Sequence, residues 1–337
     1  MKTDKIPAFV VTGFLGSGKT TLLQKMLRHG RWRNSALIVN EFGQASIDHH
    51  LLNAAAEELS LIGGGCACCQ KREDLARELS KLINRKDSQI LTGVVIETTG
   101  LADPAPMVFT ILTDPMLQHH FRIGGILTTV DSVNYPRQTG NHPELSKQIS
   151  LADVIVVTKR DLVDSVTEEQ VFGRIRALNP TAKIFISEHG NMDFNALFAA
   201  LDWSAETSGN ILPHAITVDK KLENSHIYQT ETQSVSISFD GPIDWSAFGV
   251  WMSMLLFARG EHVLRVKGIL DVGNDGPVVL NGVQHIIHPP EHLSDWSGHD
   301  RQTRITFILR GIHAEEMINS LHAFRHLLGA RPILLNA

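Results

Sequence analysis

Cysteine is scarce in this chain of 337 residues: there are three cysteines, and all of them fall between residues 66 and 69. Cysteines that lie so close together cannot cross-link distant parts of a fold, which excludes a disulfide framework. A compact, odd-numbered cluster of this kind is typical of metal binding or of redox chemistry.

Long hydrophobic runs and blocks of like charge are also missing. No stretch reaches the ~18 uncharged residues of a membrane span, and the net charge is -5. Lys2 and Lys5 precede an apolar stretch and loosely imitate a signal peptide, but a phosphate-binding motif that overlaps this stretch accounts for it better. We therefore expect a cytoplasmic protein with no nucleic-acid partner and no membrane partner.

The composition is that of a globular chain, with 43% hydrophobic and 20% charged residues, and the length predicts roughly two domains. In residues 1–202 short apolar strands alternate with helical patterns, which predicts an α/β fold with a mostly parallel sheet covered by helices. Residues 203–230 are polar and turn-rich and are interpreted as a linker or crossing segment. Residues 231–330 predict a smaller α+β domain.

The apolar patterns also predict individual elements. The strands expected in the first domain are Pro7–Thr12, Ala36–Val39, Ile90–Glu97, Gly124–Val130, Val154–Thr158 and Ile184–Ser187. The strands expected in the second domain are Val235–Phe239, Val263–Val272, Val278–His288 and Thr303–Leu309. Helical patterns lie near residues 20–28, 75–82, 104–113, 143–151, 168–178, 193–200, 245–258 and 314–327.

A glycine-rich segment, Gly13-Phe-Leu-Gly-Ser-Gly-Lys-Thr20, matches the pattern G-x-x-x-x-G-K-[ST] between a predicted strand and a predicted helix. Its glycines permit successive N–H groups to converge on phosphate oxygens, and the start of the helix adds positive potential. Lys19 would reach the β and γ phosphates, and the Thr20 hydroxyl would ligate Mg²⁺. The segment therefore predicts a P-loop NTPase fold.

A second apolar strand ends in an acid that is followed by a glycine three residues later: Val94-Val-Ile-Glu-Thr-Thr-Gly100. Glu97 is predicted to orient a Mg²⁺-bound or attacking water, which makes it a catalytic and magnesium-site candidate. The Gly100 N–H is predicted to contact the γ-phosphate. Most P-loop GTPases carry Asp at this strand end, so Glu97 is a departure from their pattern.

The segment Thr158-Lys-Arg-Asp161 resembles the guanine-reading signature N-K-x-D, with Thr in place of Asn. A carboxylate at Asp161 can accept hydrogen bonds from N1–H and from the 2-amino group of guanine, which adenine cannot donate. Lys159 would pack its stem over the base. The absence of Asn at position 158 leaves the bracing role of that residue open.

The cysteines stand in the segment Gly63-Gly-Gly-Cys-Ala-Cys-Cys69, and such thiolates select Zn²⁺, Cu(I) or other thiophilic ions. A structural zinc site is closed and four-coordinate, whereas three cysteines this close together require a further ligand from another residue, water or a partner. Candidate further ligands are Glu41, His49 and His50. A vicinal redox pair and inert buried thiols are the alternatives for Cys66, Cys68 and Cys69.

Together these motifs resemble the CobW-like GTPases, which are related to the nickel-chaperone GTPases of urease and hydrogenase maturation. The resemblance is carried by the segments Thr12–Thr21, Asn40–Gly43, Gly65–Cys69, Glu97–Pro104 and Thr158–Asp161. It implies GTP hydrolysis coupled to the transfer of a bound metal ion, zinc or cobalt, to a client metalloprotein. It also implies that residues 40–48 form the first switch, with Asp48 as an acid near Mg²⁺.

The candidate catalytic residues are thus Lys19, Glu97 and Asp48. The candidate nucleotide-binding residues are Gly13, Gly16, Ser17, Gly18, Lys19, Thr20, Thr21, Gly100, Lys159 and Asp161. A nucleotide-dependent small-molecule kinase or ligase with a structural zinc is the alternative function, and a thiol redox sensor with a nucleotide switch is a third. Three roles stay open for the second domain, namely docking a client, holding a homo-oligomer or shielding the nucleotide.

Overall fold

The computed structural model describes residues 5–32, 34–40, 58–62, 68–84, 91–201, 232–296 and 300–336. The chain divides into two compact units. The first is formed by Met1–Phe172 and Ala182–Trp203, and the second by Gly173–Thr181 and Ser204–Ala337. The predicted linker at residues 203–230, the candidate ligands Cys66, Glu41, His49 and His50, and the switch acid Asp48 lie outside the described residues.

The first unit contains a seven-stranded sheet in the order β3-β2-β4-β1-β5-β6-β7, and every neighbouring pair of strands is parallel. The strands are β1 (Ile6–Gly13), β2 (Ser35–Asn40), β3 (Glu58–Ile62), β4 (Gly93–Thr98), β5 (Phe121–Asp131), β6 (Val154–Thr158) and β7 (Lys183–Ser187). All residues of β4 and β6 are buried, as expected for parallel strands covered on both faces. The predicted α/β fold is confirmed.

Helices connect these strands. They are α1 (Lys19–Arg28), α2 (Cys68–Ile83), α3 (Ala105–Thr113), α4 (Pro115–His120), α5 (Tyr135–Gln138), α6 (Pro143–Leu151), α7 (Ser165–Leu178) and α8 (Phe194–Leu201). Short 3₁₀ turns occupy Gly30–Trp32 and Arg160–Leu162. Helix α4 was not predicted from the sequence. Its start is capped by the Asp114 carboxylate, which accepts hydrogen bonds from the N–H groups of Met116 and Leu117. Strand β3 was also not predicted.

The parallel arrangement brings the carboxyl ends of five strands to one edge of the sheet. Strands β1, β4, β5, β6 and β7 end there at Gly13, Thr98, Asp131, Thr158 and Ser187. Ligands of open α/β sheets bind at this edge. The phosphate-loop, acid and guanine-reading motifs all follow these strand ends, so the fold gathers them in one region.

The second unit contains an antiparallel sheet in the order β11-β10-β9-β13-β8-β14, with β12 paired to β10. Its strands are β8 (Thr232–Phe239), β9 (Val263–Leu270), β10 (Val278–Val283), β11 (Ile286–Ile287), β12 (Glu291–His292), β13 (Arg304–Arg310) and β14 (Pro332–Asn336). Helices α9 (Trp245–Arg259) and α10 (Ala314–Leu328) contribute Phe248, Trp251 and Leu321 to a core shared with the sheet. The predicted α+β class of this unit is confirmed.

The prediction of one strand over Val278–His288 is wrong. The segment forms a hairpin, in which β10 and β11 pair with the register Gly282↔Ile287 and Val283↔Ile286. Gln284 adopts a φ of 53° in the turn, a conformation that a strand does not contain. Apolar residues stand on both sides of this short turn, which is why the segment reads as a single strand in the sequence. Strand β14 was also missed.

Among the described residues, no helix is both long enough and apolar enough to cross a membrane.

Two phenylalanines of the second unit form a matched pair for testing its core. Phe307 is completely buried, with its ring centre 6.0 Å from that of Trp251, whereas Phe257 is 96% exposed. Phe307→Ala should lower the free energy of unfolding by about 3–5 kcal/mol, and Phe257→Ala should change it by less than about 0.5 kcal/mol. Urea denaturation of both variants measures the difference, and equal effects would contradict this packing.

Candidate functional site

The loop between β1 and α1 has the backbone conformation of a phosphate-binding loop. Gly13, Gly16 and Gly18 have φ values of 142°, 72° and 88°, in the region that residues with a side chain rarely adopt. A Cβ atom at Gly13 would lie 2.5 Å from the carbonyl oxygen of Thr129 and 2.8 Å from Ser17 Oγ. The close approach of β5 to this turn therefore requires glycine at position 13.

The carbonyl oxygens of the loop accept hydrogen bonds from protein side chains. Lys19 Nζ donates to the carbonyls of Gly13 at 2.7 Å and Phe14 at 3.1 Å. The carbonyl of Gly16 accepts from Lys159 Nζ at 2.8 Å, and that of Ser17 accepts from Thr158 Oγ1 at 2.9 Å. Because the C=O of one residue and the N–H of the next point in opposite directions, these bonds restrain the orientation of the peptide groups whose N–H groups would meet phosphate oxygens.

Thr158 holds the phosphate loop through this hydrogen bond. The presence of Thr in place of Asn had left that role open. Its hydroxyl lies at the end of β6 and contacts the carbonyls of Ser17 and, at 3.3 Å, Val130. Its methyl carbon lies 3.5 Å from the position of a Cβ at Gly18. A β-branched hydroxyl residue therefore connects the guanine-reading segment to the phosphate loop without the longer amide.

Asp131, at the end of β5, is a residue of this site that was not predicted from the sequence. Its carboxylate accepts a hydrogen bond from Lys159 Nζ at 2.7 Å, so Lys159 joins Asp131 to the Gly16 carbonyl. Burial acts to raise the pKa of Asp131, but hydrogen bonds from Lys159, Asn134 and the Val133 N–H outweigh it and hold this pKa below its ordinary value. The carboxylate thus remains ionised at neutral pH. The sequence pattern that could have indicated Asp131 is an acid at the end of an apolar strand, the same pattern that indicated Glu97.

The segment after β4 packs directly on the phosphate loop. Glu97 is buried, at 7% exposure, and is paired in register with Val11 of β1. Thr98 Oγ1 donates to Thr12 Oγ1 at 2.8 Å and joins the ends of the same two strands. A Cβ atom at Gly100 would lie 2.6 Å from the backbone nitrogen of Leu15, so this contact also requires glycine.

The remaining nucleotide-site candidates lie at the same edge. Thr20 and Thr21 are in the first turn of α1, where Thr20 is half-buried and Thr21 is exposed. Asp161 lies in the 3₁₀ turn after β6, where His189 Nε2 is 3.7 Å from its carboxylate. The loop after β7 contacts α1, since a Cβ atom at Gly190 would lie 3.0 Å from the carbonyl of Thr21.

The cysteine cluster is described only in part. Cys68 and Cys69 are the first two residues of α2. Within the described ranges, no group of three or more His, Cys, Asp or Glu residues could hold a metal ion. His285, His288 and His292, which are near each other in the sequence, therefore do not form a metal site of this kind.

This loop, its bracing side chains and the parallel sheet define the class of P-loop nucleotide-binding proteins. Residues 7–186 match the model of the CobW/HypB/UreG nucleotide-binding domain, and residues 232–325 match that of the cobalamin synthesis protein cobW C-terminal domain. The chain belongs to the CobW/HypB/UreG family, which confirms the resemblance found in its sequence.

Relatives match over almost the whole length. The chain is 29% identical over 319 residues to zinc chaperone YjiA of Escherichia coli, covering 93% of this chain and 96% of the relative. It is 27% identical over 341 residues to zinc chaperone CobW of a Sinorhizobium species, covering 92% and 93%. The crystal structure of Zn(II)-bound YjiA GTPase from E. coli shares the fold, with a TM-score of 0.70, 24% identity and coverage of 95% of this chain and 99% of that one.

The Thr158 hydroxyl provides a test of how the loop is held. Thr158→Val removes the hydrogen bond to the Ser17 carbonyl while keeping the shape, and should weaken nucleotide binding by about 5- to 10-fold. Thr158→Ser keeps the hydroxyl and should bind within about twofold of the original chain. Titration with a fluorescent nucleotide measures both affinities. A valine variant that binds as tightly as the serine variant would contradict the bracing role.

Proposed function

We propose that this chain is a Mg²⁺-dependent GTPase whose nucleotide state controls the binding of a thiophilic metal ion, zinc in the first instance, and its delivery to a client protein. The observation that carries the proposal is the phosphate loop at Gly13–Gly18, with its carbonyls bonded to Lys19, Thr158 and Lys159. A relative in Schizosaccharomyces pombe, 26% identical over 317 residues, is named zinc-regulated GTPase metalloprotein activator 1.

Hydrolysis is assigned to residues around the loop. Lys19 would neutralise charge on the β and γ phosphates, and the Gly100 N–H would donate to the γ-phosphate. Glu97 would orient the attacking water. Thr20 and Glu97 supply hard oxygen ligands of the kind that Mg²⁺ prefers. When bound, Mg²⁺ would neutralise charge that develops on the phosphates.

Selection of the base is assigned to Asp161. Its carboxylate, one-third exposed, follows the αL residue Lys159, whose ammonium is bonded to the loop. The Lys159 stem therefore lies between the phosphate loop and the base-reading acid. A guanine base would present its N1–H and 2-amino donors to Asp161, whereas adenine would leave the carboxylate without them.

The cargo site is assigned to Cys66, Cys68 and Cys69, with Glu41 as a candidate fourth ligand. Three clustered thiolates suit zinc and, secondarily, cobalt, and a shell completed from elsewhere suits release to a client. Support for coupling comes from α2, which starts with Cys68 and Cys69. Its Arg72 guanidinium carbon lies 5.2 Å from the ring centre of Phe109, on the helix that follows the Glu97–Asp103 segment.

The choice of base can be inverted by one substitution. Asp161→Asn replaces two acceptor oxygens with an amide that can donate to the 2-oxo group of xanthine. GTP turnover should fall by about 100-fold or more, and xanthosine triphosphate turnover should rise above it. Asp300→Asn, at a side chain that is 91% exposed, is the matched control and should leave both rates unchanged. Phosphate-release assays with GTP, ATP and xanthosine triphosphate distinguish the outcomes; unchanged preference for GTP would refute the assignment.

Zinc binding should depend on the thiols. Chelator competition under reducing conditions should show one tightly bound Zn²⁺, and Cys68→Ser should weaken it on the order of 100-fold. His292→Gln, at an exposed histidine, is the control and should have no effect. Equal zinc affinity in the unsubstituted chain and both variants would contradict the assignment of the cysteines as zinc ligands. A zinc affinity that does not depend on the bound nucleotide would favour a structural role for the ion.

A further inference from the structure

A glutamine on α6 is bonded to the segment that follows Glu97. Gln148 is buried, at 1% exposure, and its Nε2 donates to the carbonyl oxygens of Gly100 at 3.1 Å and Ala102 at 3.0 Å. An amide nitrogen carries two hydrogens, so these two bonds use its full donor capacity. A displacement of either carbonyl would leave a buried donor without its partner, which costs more than the bond contributes when it is formed.

Two further contacts fix α6 in this position. The backbone carbonyl of Gln148 accepts a hydrogen bond from Thr128 Oγ1 of β5 at 2.9 Å. The preceding residue, Lys147, forms an ion pair with Asp103 at 2.5 Å, between side chains that are 21% and 31% exposed. The segment from Gly100 to Asp103 is therefore joined to α6 at three of its four residues.

The residue that precedes this helix also contacts the phosphate loop. The ring centre of His142, the residue before α6, lies 4.7 Å from that of Phe14. One cavity is lined by Gln148 together with Phe14 and Ser17 of the loop. Gly100 is thus confined from two sides, by the Leu15 backbone against its Cα and by Gln148 on its carbonyl. Its N–H shares a peptide group with the Thr99 carbonyl, which accepts a hydrogen bond from the Ala102 N–H at 3.0 Å. Because Gln148 also holds the Ala102 carbonyl, it restrains the turn that sets the direction of the Gly100 N–H.

We propose that Gln148 is the positioning residue of the γ-phosphate contact: it holds Gly100 so that its N–H meets the γ-phosphate of GTP. This inference rests on the proposed GTPase function and adds a residue to it. Since GDP has no γ-phosphate, the contribution of Gln148 falls on the triphosphate alone. A residue that served only the packing of α6 would affect both nucleotides alike.

The test compares the affinities for a non-hydrolysable GTP analogue and for GDP. Gln148→Met removes both donors at similar volume, and should weaken binding of the analogue by about tenfold and lower kcat by a similar factor. The GDP affinity of this variant should stay within about twofold of that of the unsubstituted chain. Gln138→Met is the matched control, because Gln138 lines the same cavity and no hydrogen bond of its side chain to the Gly100–Ala102 carbonyls is found among the described residues. It should leave both affinities unchanged.

Lys147→Met provides a second arm, which carries the test if Gln148→Met does not fold. It breaks the Asp103 ion pair and should shift the GTP-to-GDP affinity ratio in the same direction, by about two- to threefold. An equal loss of affinity for both nucleotides, or an unchanged GTP-to-GDP affinity ratio in the folded variants, would overturn the assignment of Gln148. An unsubstituted chain that neither binds nor hydrolyses GTP would instead overturn the proposed function, and this inference with it.

Discussion

The hydrogen bonds that fix the carbonyl oxygens of the phosphate loop are the constraint on which the nucleotide site depends. A glycine-rich turn has many conformations, and its N–H groups converge only when the opposite ends of the peptide groups are held. Here Lys19, Thr158 and Lys159 hold them. Two of these residues come from the end of β6, so the motif that would read the base also shapes the loop that would bind the phosphates.

The loop is also contacted by the segment after β4, which is in turn held by α6. Gly100 packs against Leu15 from the end of β4, and Gln148 supports Gly100 from α6. The Glu97–Asp103 segment then continues into α3, whose Phe109 lies under the Arg72 guanidinium of α2. Each step is a direct contact between neighbouring elements. We propose this route for coupling between the nucleotide and the cysteines at the start of α2, where a change at the γ-phosphate would alter the thiolate site.

The sequence predicted most of the parallel sheet, because buried strands carry continuous apolar runs and the motifs stand at their ends. It placed Lys19, Glu97 and Asp161 beside strand ends for the same reason, and their roles stay predictions. It could not predict the hydrogen bonds of Thr158 or the pairing of Asp131 with Lys159, which join residues far apart in the chain. Gln148 carries no local signal at all, since only the fold brings its amide to Gly100. The β10–β11 hairpin was missed because its turn lacks the usual Asn-Gly chemistry.

The most direct test of the account is the Zn²⁺ affinity of the unsubstituted chain in two nucleotide states. Chelator competition under anaerobic, reducing conditions would compare protein saturated with Mg²⁺ and a non-hydrolysable GTP analogue with protein saturated with GDP. If the nucleotide state controls the metal site, the two affinities differ by about tenfold or more, a coupling free energy of about 1.4 kcal/mol. Equal affinities in the two states would contradict nucleotide-controlled metal transfer and would leave zinc as a structural ion.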